Sequence, residues 1–585
     1  MYNSKNMKTK ALYLTVALVM MLGFSSCNLD YFPSDELNSD ILLQDSKGAE
    51  YIMDGCYAIL KDEVEFLGYA SGNCYVRHYF QLSEFPGDNI CLSAHTTDPL
   101  FEATDYQMND GLKNVGTLWM VAYKAIYMTN TVISTLDESK EDNHQLLGEA
   151  YFMRALMHLH MVTLYAKAYT FGRDNLGVPL RISTSSEETK RNPVGEVYDQ
   201  IAADFRKAAD LMGPSRGNTG YPCKDAALGL LSRVYLYMEE YDKCIETVNE
   251  ALGSDAPMSK LEQGADYANF FRNAKTSKET LFCIAHETSD DRGQSSTGSM
   301  YLKDGIGWGE IYPSDPLMYL FERYPEDLRY QSFIMPQFSG QDKMRVYVTI
   351  PATDDLEAPH IKLRADLIDD GAGNYSFKDE GKTYPIEKRK VNGSGKKDAA
   401  GEYVEYHTQY GGRDCLCRIN KDVTLRTGFT IPMIFVNKFS YQDGNPMLSS
   451  PVVCRWAEVI LNRAEAYAHK GEVAKALEDV NVIRTRAGIP NFTVGNLHGY
   501  VDQGKDPERG EPLTAIEQVV LDERRMELAW EGHRMFDVYR NKQNMDRRFA
   551  GAQKFKITEY TEPHIQYPIP NNEWTVSGIQ QNPGY

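Results

Sequence analysis

Apolar residues recur every three to four positions along two separate stretches of the chain, and both read as amphipathic helices. In the first stretch the pattern covers residues 118–136 and then 145–168, where Ala150, Met153, Leu156, Met157, Met161 and Leu164 fall on one stripe. It continues over 197–211 and 225–252, with Pro179, Pro193, Gly213-Pro214 and the segment 217–222 as breaks. In the second stretch it covers 455–470, 473–487 and 515–540, before a Pro-rich tail, YPIPNNEWTVSGIQQNPGY, that reads as extended. Between the two, residues 254–451 lose the helical period. They are rich in Gly, Asp, Tyr and Pro, with short alternating runs such as MRVYVTI at 344–350, and predict long surface loops and small strands. Loops of that length in a compact protein usually carry function.

The helical stretches share a repeat. YLYMEEYDKCIETVN at 235–249 aligns with YAHKGEVAKALEDVN at 467–481, setting Tyr235 over Tyr467, Lys243 over Lys475, Cys244 over Ala476, Val248 over Val480 and Asn249 over Asn481. A Tyr, a turn, a small-apolar pair and an Asn is how a helical hairpin of the tetratricopeptide kind closes, with small residues letting the helices approach. The copies lie too far apart for a tandem array. The predicted fold is therefore mainly α: a tetratricopeptide-like helical hairpin scaffold carrying a large irregular loop and short-strand insertion. Its parts are a helical N-terminal half at about 40–253, the insertion at about 254–451 and a helical C-terminal part at about 452–585, read as one domain spanning 27–585.

Residues 1–26 precede that domain as a leader. Lys5, Lys8 and Lys10 form a basic region, the run ALYLTVALVMMLGF at 11–24 is apolar, and Ser25 and Ser26 lead into Cys27. This is the layout of a secretory signal, and the run is shorter than the roughly 20 apolar residues that span a bilayer. A Cys directly after the small residues marks a lipoprotein signal, with Cys27 as the acylated residue; an ordinary signal peptide with a coincidental Cys is the alternative. Two or three acyl chains anchor stably where one does not.

The chain carries 62 Lys and Arg against 82 Asp and Glu, a net charge of −20, which repels phosphate backbones and argues against nucleic acid as a partner. Its 38 tyrosines stand out, since Tyr joins a flat apolar face to a polar tip and suits wet binding surfaces, although most must pack between helices. Of ten cysteines, nine lie in the body, an odd number that cannot all pair; Cys415-Leu-Cys417 lacks the second pair a zinc site needs.

With these residues in view, the chain resembles the SusD/RagB nutrient-binding lipoproteins of the Bacteroidetes. The resemblance rests on RWAEVILNRAEAYAHKGEVAKALEDVNVIRTRAGIP at 455–490, LDERRMELAWEGHRMFDVYR at 521–540, YPIPNNE from Tyr567 and QNPGY ending at Tyr585. LWMVAYKAIYMTN from Leu118, EAYFMRALMHLHMV from Glu149, VYDQIAADF from Val197 and DAALGLLSRVYLY from Asp225 agree with it, so it covers essentially the whole chain after Cys27. The resemblance implies a helical body with tetratricopeptide-like hairpins and an irregular face built from inserted loops. It also implies a site on the outer leaflet of the outer membrane, over a SusC-like TonB-dependent barrel that receives captured oligosaccharides, or peptides in some members. It implies no hydrolase activity and no cofactor.

The residues themselves offer no nucleophile elbow, Walker loop, HExxH or dinucleotide fingerprint. His158 and His160, two apart on a helix, point to different faces and read as core or capping residues. Glu523, Arg524, Arg525, Glu527, Glu531, Arg534, Asp537 and Arg540 alternate charge in a way that laces a helix to its neighbours by ion pairs. Acidic residues at 366–370 leave calcium open without EF-hand spacing. A sugar site needs aromatic platforms beside amides and carboxylates. Two regions offer that mixture. Residues 68–110 contain Tyr75, Arg77, Tyr79, Phe85, Asp88, Asn89, His95, Phe101 and Tyr106; residues 295–315 contain Tyr301, Trp308 and Tyr312. Trp308, between Gly307 and Gly309, is the leading candidate, a large ring hard to read as core. PGDN at 86–89 reads equally well as a turn. Trp119, Trp456 and Trp530 lie on helical stripes and read as core, and Trp574 as a pin for the tail. A protein-binding adaptor and an enzyme are the competing readings from other classes.

Overall fold

In the computed structural model the described residues are 47–66, 69–71, 74–93, 101–185, 190–214, 217–350, 360–391, 396–398, 400–426, 431–549, 551–553 and 556–585. The leader, Cys27 and His95 lie outside them. Residues 1–51 form a unit separate from the compact unit of residues 52–585, and of the former only 47–51 are described, at the start of helix α1 (Gly48–Ala58).

The helical scaffold follows the periodicity. After α2 (Cys74–Glu84), helices α3 (Lys113–Thr135), α4 (His144–Tyr165), α5 (Val194–Leu211), α6 (Lys224–Tyr237) and α7 (Tyr241–Leu252) pack each on the next from α3 onward. The period over 225–252 thus belongs to a hairpin. Its turn places Glu239 at φ 60°, and the aligned residue of the second hairpin, Gly471, has φ 71°. That second hairpin is α10 (Trp456–His469) with α11 (Val473–Ala487). The repeat extends to side chains: the Lys243 ammonium lies 5.7 Å from the Tyr235 ring centre and the Lys475 ammonium 5.2 Å from that of Tyr467. The two hairpins pack directly together. Cys244 Sγ contacts the Asn462 carbonyl at 3.6 Å across 218 residues of sequence, and Arg463 donates to Asn249 Oδ1 at 2.6 Å. Gly229 permits the approach, since a Cβ there would lie 3.0 Å from a Val459 methyl of α10 and 2.9 Å from Cys454 Sγ and a Leu281 methyl on the adjoining strands.

Two expectations are corrected. The pattern over 515–540 is two helices, α12 (Ala515–Glu527) and α13 (Arg534–Arg540). Trp530 at φ 67° and Gly532 at φ 79° break them, because the Trp530 ring turns into the core and the Gly532 N–H donates to Glu84 at 2.6 Å. The tail is not wholly extended, as Asn571–Val576 is a short helix.

The insertion is more regular than its composition suggests. It first supplies β2 (Thr280–Cys283), paired with β12 (Val452–Arg455), and β3 (Ile311–Pro313), paired with β1 (Ile90–Leu92), before helices α8 (Asp315–Glu322) and α9 (Leu328–Phe333). An antiparallel sheet of eight strands then spans 344–421: β4 (Met344–Ile350), β5 (His360–Asp366), β6 (Ile368–Asp369), β7 (Tyr375–Asp379), β8 (Lys382–Lys390), β9 (Lys396–Lys397), β10 (Tyr403–Tyr410) and β11 (Arg413–Lys421). Their order is β5-β4-β11-β10-β8-β7-β6, with β9 paired to β10. MRVYVTI is a strand as expected, paired Val346 to Ile419 and Val348 to Cys417. Val346, Val348, Phe377, Ile386, Cys415 and Cys417 make the sheet's own core, while the opposite face carries Arg389, Glu405, Arg418 and Asn420. Cys56, Cys91, Cys223, Cys244, Cys283, Cys415, Cys417 and Cys454 are buried free thiols.

A charged core lies where α9, α11, α12 and β12 meet. Arg455 binds Glu279 at 2.8 Å, Glu527 at 2.6 Å and Glu531 at 2.8 Å; Arg486 binds Glu527 at 2.5 Å; Arg329 binds Glu523 at 2.7 Å; Lys438 binds Glu531 at 2.6 Å. All these side chains are at most 2% exposed, and every ion has its counter-ion, which is what makes such burial tolerable. The charge lacing expected of 523–540 is therefore present, running between elements. Burial alone would raise the Glu531 carboxyl, but Arg455 and Lys438 hold it down to about 2.

One ionic contact is pH-sensitive. Burial would lower the His469 imidazole, but hydrogen bonds to Glu465 and Glu517 outweigh it and raise its pKa from 6.5 to about 9. A folded value above the unfolded one means that the stability is complete below about pH 6.5 and is lost as pH rises through about 9. His469→Gln should cost about 1–2 kcal/mol near pH 6 and little near pH 9.5 in urea titrations. An equal loss at both would rule the charge out as the cause.

Candidate functional site

The two regions singled out by composition meet in space. β1 pairs with β3, the Ser314 amide donates to the Asn89 carbonyl at 3.0 Å, and the Ser93 amide donates to the Glu310 carbonyl at 2.9 Å. At this seam stands Trp308. The chain reaches it through a short helix, Thr297–Tyr301, capped by Ser296, and folds back so that the Trp308 amide donates to the Ser299 carbonyl at 2.8 Å. The flanking glycines are there for closeness rather than freedom. A Cβ on Gly307 would lie 2.3 Å from the Ser299 oxygen, and one on Gly309, at φ 68°, 2.6 Å from the Asp304 nitrogen. The indole is held at both ends of its polar fringe. Its Nε1 donates to the Gln294 carbonyl at 3.0 Å, and the Arg77 guanidinium from α2 lies 5.1 Å from the ring centre, a cation–π contact of about 0.5–2 kcal/mol. Trp308 stays half-buried, with Gln294, Lys303 and Asp304 exposed around it. A fixed aromatic face fringed by an amide, a carboxylate and cations suits a ligand with an apolar face and polar edges.

The other candidates are placed differently. Tyr75, Tyr301 and Tyr312 are at most 1% exposed, and Asp88, Asn89, Phe101 and Tyr106 no more than 8%. The expectation that they present binding groups at the surface is corrected by that burial. Three of the four tyrosines can be core because the hydroxyl finds a partner inside: Tyr106 donates to the Pro86 carbonyl at 2.6 Å, Tyr312 to the Gly309 carbonyl at 2.8 Å, and the Tyr75 hydroxyl meets His160 Nδ1 at 2.6 Å, whereas the Tyr301 hydroxyl is buried with no hydrogen-bond partner among the described residues. Phe101 packs edge-on against Phe85 at 6.0 Å. The hydrogen-bonded turn lies a step before PGDN, over Glu84–Gly87, with the Gly87 amide donating to the Glu84 carbonyl, and Asp88 and Asn89 follow it as bends. These two clamp onto α12 and α13. Asp88 pairs with Arg534 at 2.7 Å, and Asn89 accepts from Arg525 at 2.9 Å. Burial would raise the Asp88 carboxyl, yet Arg525 and Arg534 keep it down to about 2.

Trp119, Trp456 and Trp530 are core, and Trp574 ties the tail by donating to Asp110 at 2.8 Å. His158 accepts the Arg181 amide at 3.2 Å, and the His160 ring stacks on Tyr79 at 3.8 Å, so both serve packing. Asp370 caps its own hairpin through the Ala372 and Asn374 amides. Among the described residues no three His, Cys, Asp or Glu side chains group as a metal site. Composition did not reveal a second aromatic surface, where Tyr319 and Tyr330 face β10 and β11; its walls come from segments remote in sequence.

The fold recurs in known proteins. Residues 278–585 match the SusD family model, and residues 53–236 match a second model described as starch-binding associating with outer membrane. A SusD-like protein of Formosa agariphila is 23% identical over 496 residues, 83% of each chain. A SusD superfamily protein of Bacteroides thetaiotaomicron superposes with a TM-score of 0.65 at 20% identity, covering 92% of this chain and 99% of that one. A laminarin-binding SusD-like protein superposes with a TM-score of 0.54 at 18% identity, covering 92% of this chain and all of that one. The architecture is the tetratricopeptide-like helical one of that superfamily. The chain belongs to the SusD family.

Proposed function

We propose that this protein captures oligosaccharides at the Trp308 surface and delivers them to a SusC-like TonB-dependent transporter of the outer membrane, held at the cell surface by acyl chains on Cys27. The observation that carries the capture step is the half-buried Trp308 indole, fixed by Arg77 and Gln294 amid polar groups able to meet sugar hydroxyls. Membership of a family with a starch-binding model, and a structural relative that binds laminarin, favour a glycan over other cargo. The test is affinity electrophoresis of the mature protein through gels containing starch, laminarin and other neutral polysaccharides; migration unaffected by every one of them defeats the reading. For the anchor, Cys27→Ala is expected to shift the protein from the membrane to the soluble fraction. Retention at the membrane would refute acylation there.

A further inference from the structure

We propose a second saccharide subsite, separate from Trp308, in the groove where the outer face of the sheet meets α8 and α9. The inference rests on the glycan-capture reading and adds a place and a ligand size to it. One wall carries Tyr319 and Arg323 from α8 and its exit, with Tyr330 from α9; the other carries Glu405 of β10 and Leu416 and Asn420 of β11. Tyr319 is 36% exposed, one of few large rings at the surface.

The walls are fixed to each other at both ends. The Tyr319 hydroxyl donates to Glu405 at 3.3 Å, while Arg418 binds Asp315 at 2.5 Å and Glu322 at 3.3 Å. A gap held in this way keeps its width without a ligand, so binding there orders little further chain. Its charged lining, Glu322 and Glu405 against Arg323 and Arg418, sums to zero, which favours a neutral ligand over an anion or cation. Glu322 already accepts from Asn420 and Arg418, and Glu405 from Tyr319 and His407, but a carboxylate offers about four lone-pair sites, leaving acceptors for hydroxyls. Tyrosine faces supply the apolar contact that the C–H side of a sugar ring needs. The cavity is about 200 Å³, below the roughly 300–1,000 Å³ of pockets for drug-sized ligands, so it suits a single ring of a longer chain.

A one-ring subsite adds retention chiefly when the same polysaccharide also occupies another site, since the second contact is then intramolecular. Tyr319→Ala is therefore expected to weaken retardation in laminarin or starch gels about three- to tenfold, and Tyr319→Phe, which keeps the ring, to weaken it less than twofold. The change should appear in the wild-type background and shrink in the Trp308→Ala background, where the partner site is gone, with unaltered thermal melting. Equal retardation of Tyr319→Ala and wild type overturns the subsite, as does Tyr319→Phe behaving like Tyr319→Ala. Retardation lost in Trp308→Ala and untouched in Tyr319→Ala removes this inference alone. A wild type retarded by no polysaccharide removes the glycan reading with it.

Discussion

Glu527→Gln is expected to destabilise the protein by about 3–5 kcal/mol, the usual loss when one member of a buried ion cluster is neutralised. Glu527 accepts from Arg486 at 2.5 Å and Arg455 at 2.6 Å and approaches Arg329 at 3.3 Å, with no exposure to water. Burial would raise its carboxyl, but the three arginines hold it well below the ordinary range, so it is charged throughout the physiological range. Glutamine keeps the shape and removes the charge. The three guanidiniums then share too few anions in a place that water cannot reach. An exposed pair is the internal control. Arg173 and Asp199 meet at 2.6 Å but are 53% and 50% exposed, so Asp199→Asn should leave the unfolding midpoint close to that of the wild type. Urea unfolding of the three proteins side by side measures both effects. A Glu527→Gln midpoint equal to wild type would mean that the lattice contributes shape alone.

Trp308→Ala is expected to reduce affinity for the captured glycan about 30-fold, the order of loss when an aromatic anchor worth roughly 2 kcal/mol is removed from a binding surface. The fold should survive. Trp308 sits in a loop, half-buried, and its main contacts are one hydrogen bond to a carbonyl and the Arg77 stack. Calorimetry with oligosaccharides of whichever polysaccharide retards the wild type reads the loss directly. Unchanged affinity with unchanged melting would move the capture site away from this loop.

The helical half of the fold was legible because periodicity and packing agree there. The strongest case is the repeat, whose aligned positions Glu239 and Gly471 both take the left-handed turn. The alternating charges of 523–540 likewise announced ion pairing to neighbouring elements, though sequence spacing could not name the partners, Arg455 and Arg486 among them. The sheet was less legible. KTYPIEKRK and RDCLCRINK are strands with one charged face, and their register depends on partners that local patterning does not name. Aromatic content misled at Tyr75, Tyr312 and Tyr106, because a tyrosine hydroxyl is as satisfied by a buried acceptor as by water, and at Tyr301, whose ring packs on Phe439 with its hydroxyl unpartnered among the described residues. Trp308 stood out for its glycines, which serve the tight fold-back behind the ring. The Tyr319 groove was out of reach, since Tyr319 and Glu405 are 86 residues apart.

The direct packing of the two hairpins has a consequence for how the chain acquires its structure. Helices α6 and α7 have apolar faces that α10 covers, and α10 begins at Trp456, beyond the whole inserted sheet. A chain made from its N-terminus onward exposes those faces until most of its length has emerged, and closing so long a loop is slow. The inserted sheet, with short connections and its own core, can form first. Assembly of the scaffold is then a late event, and the period before it is when this protein depends most on chaperones for safe passage.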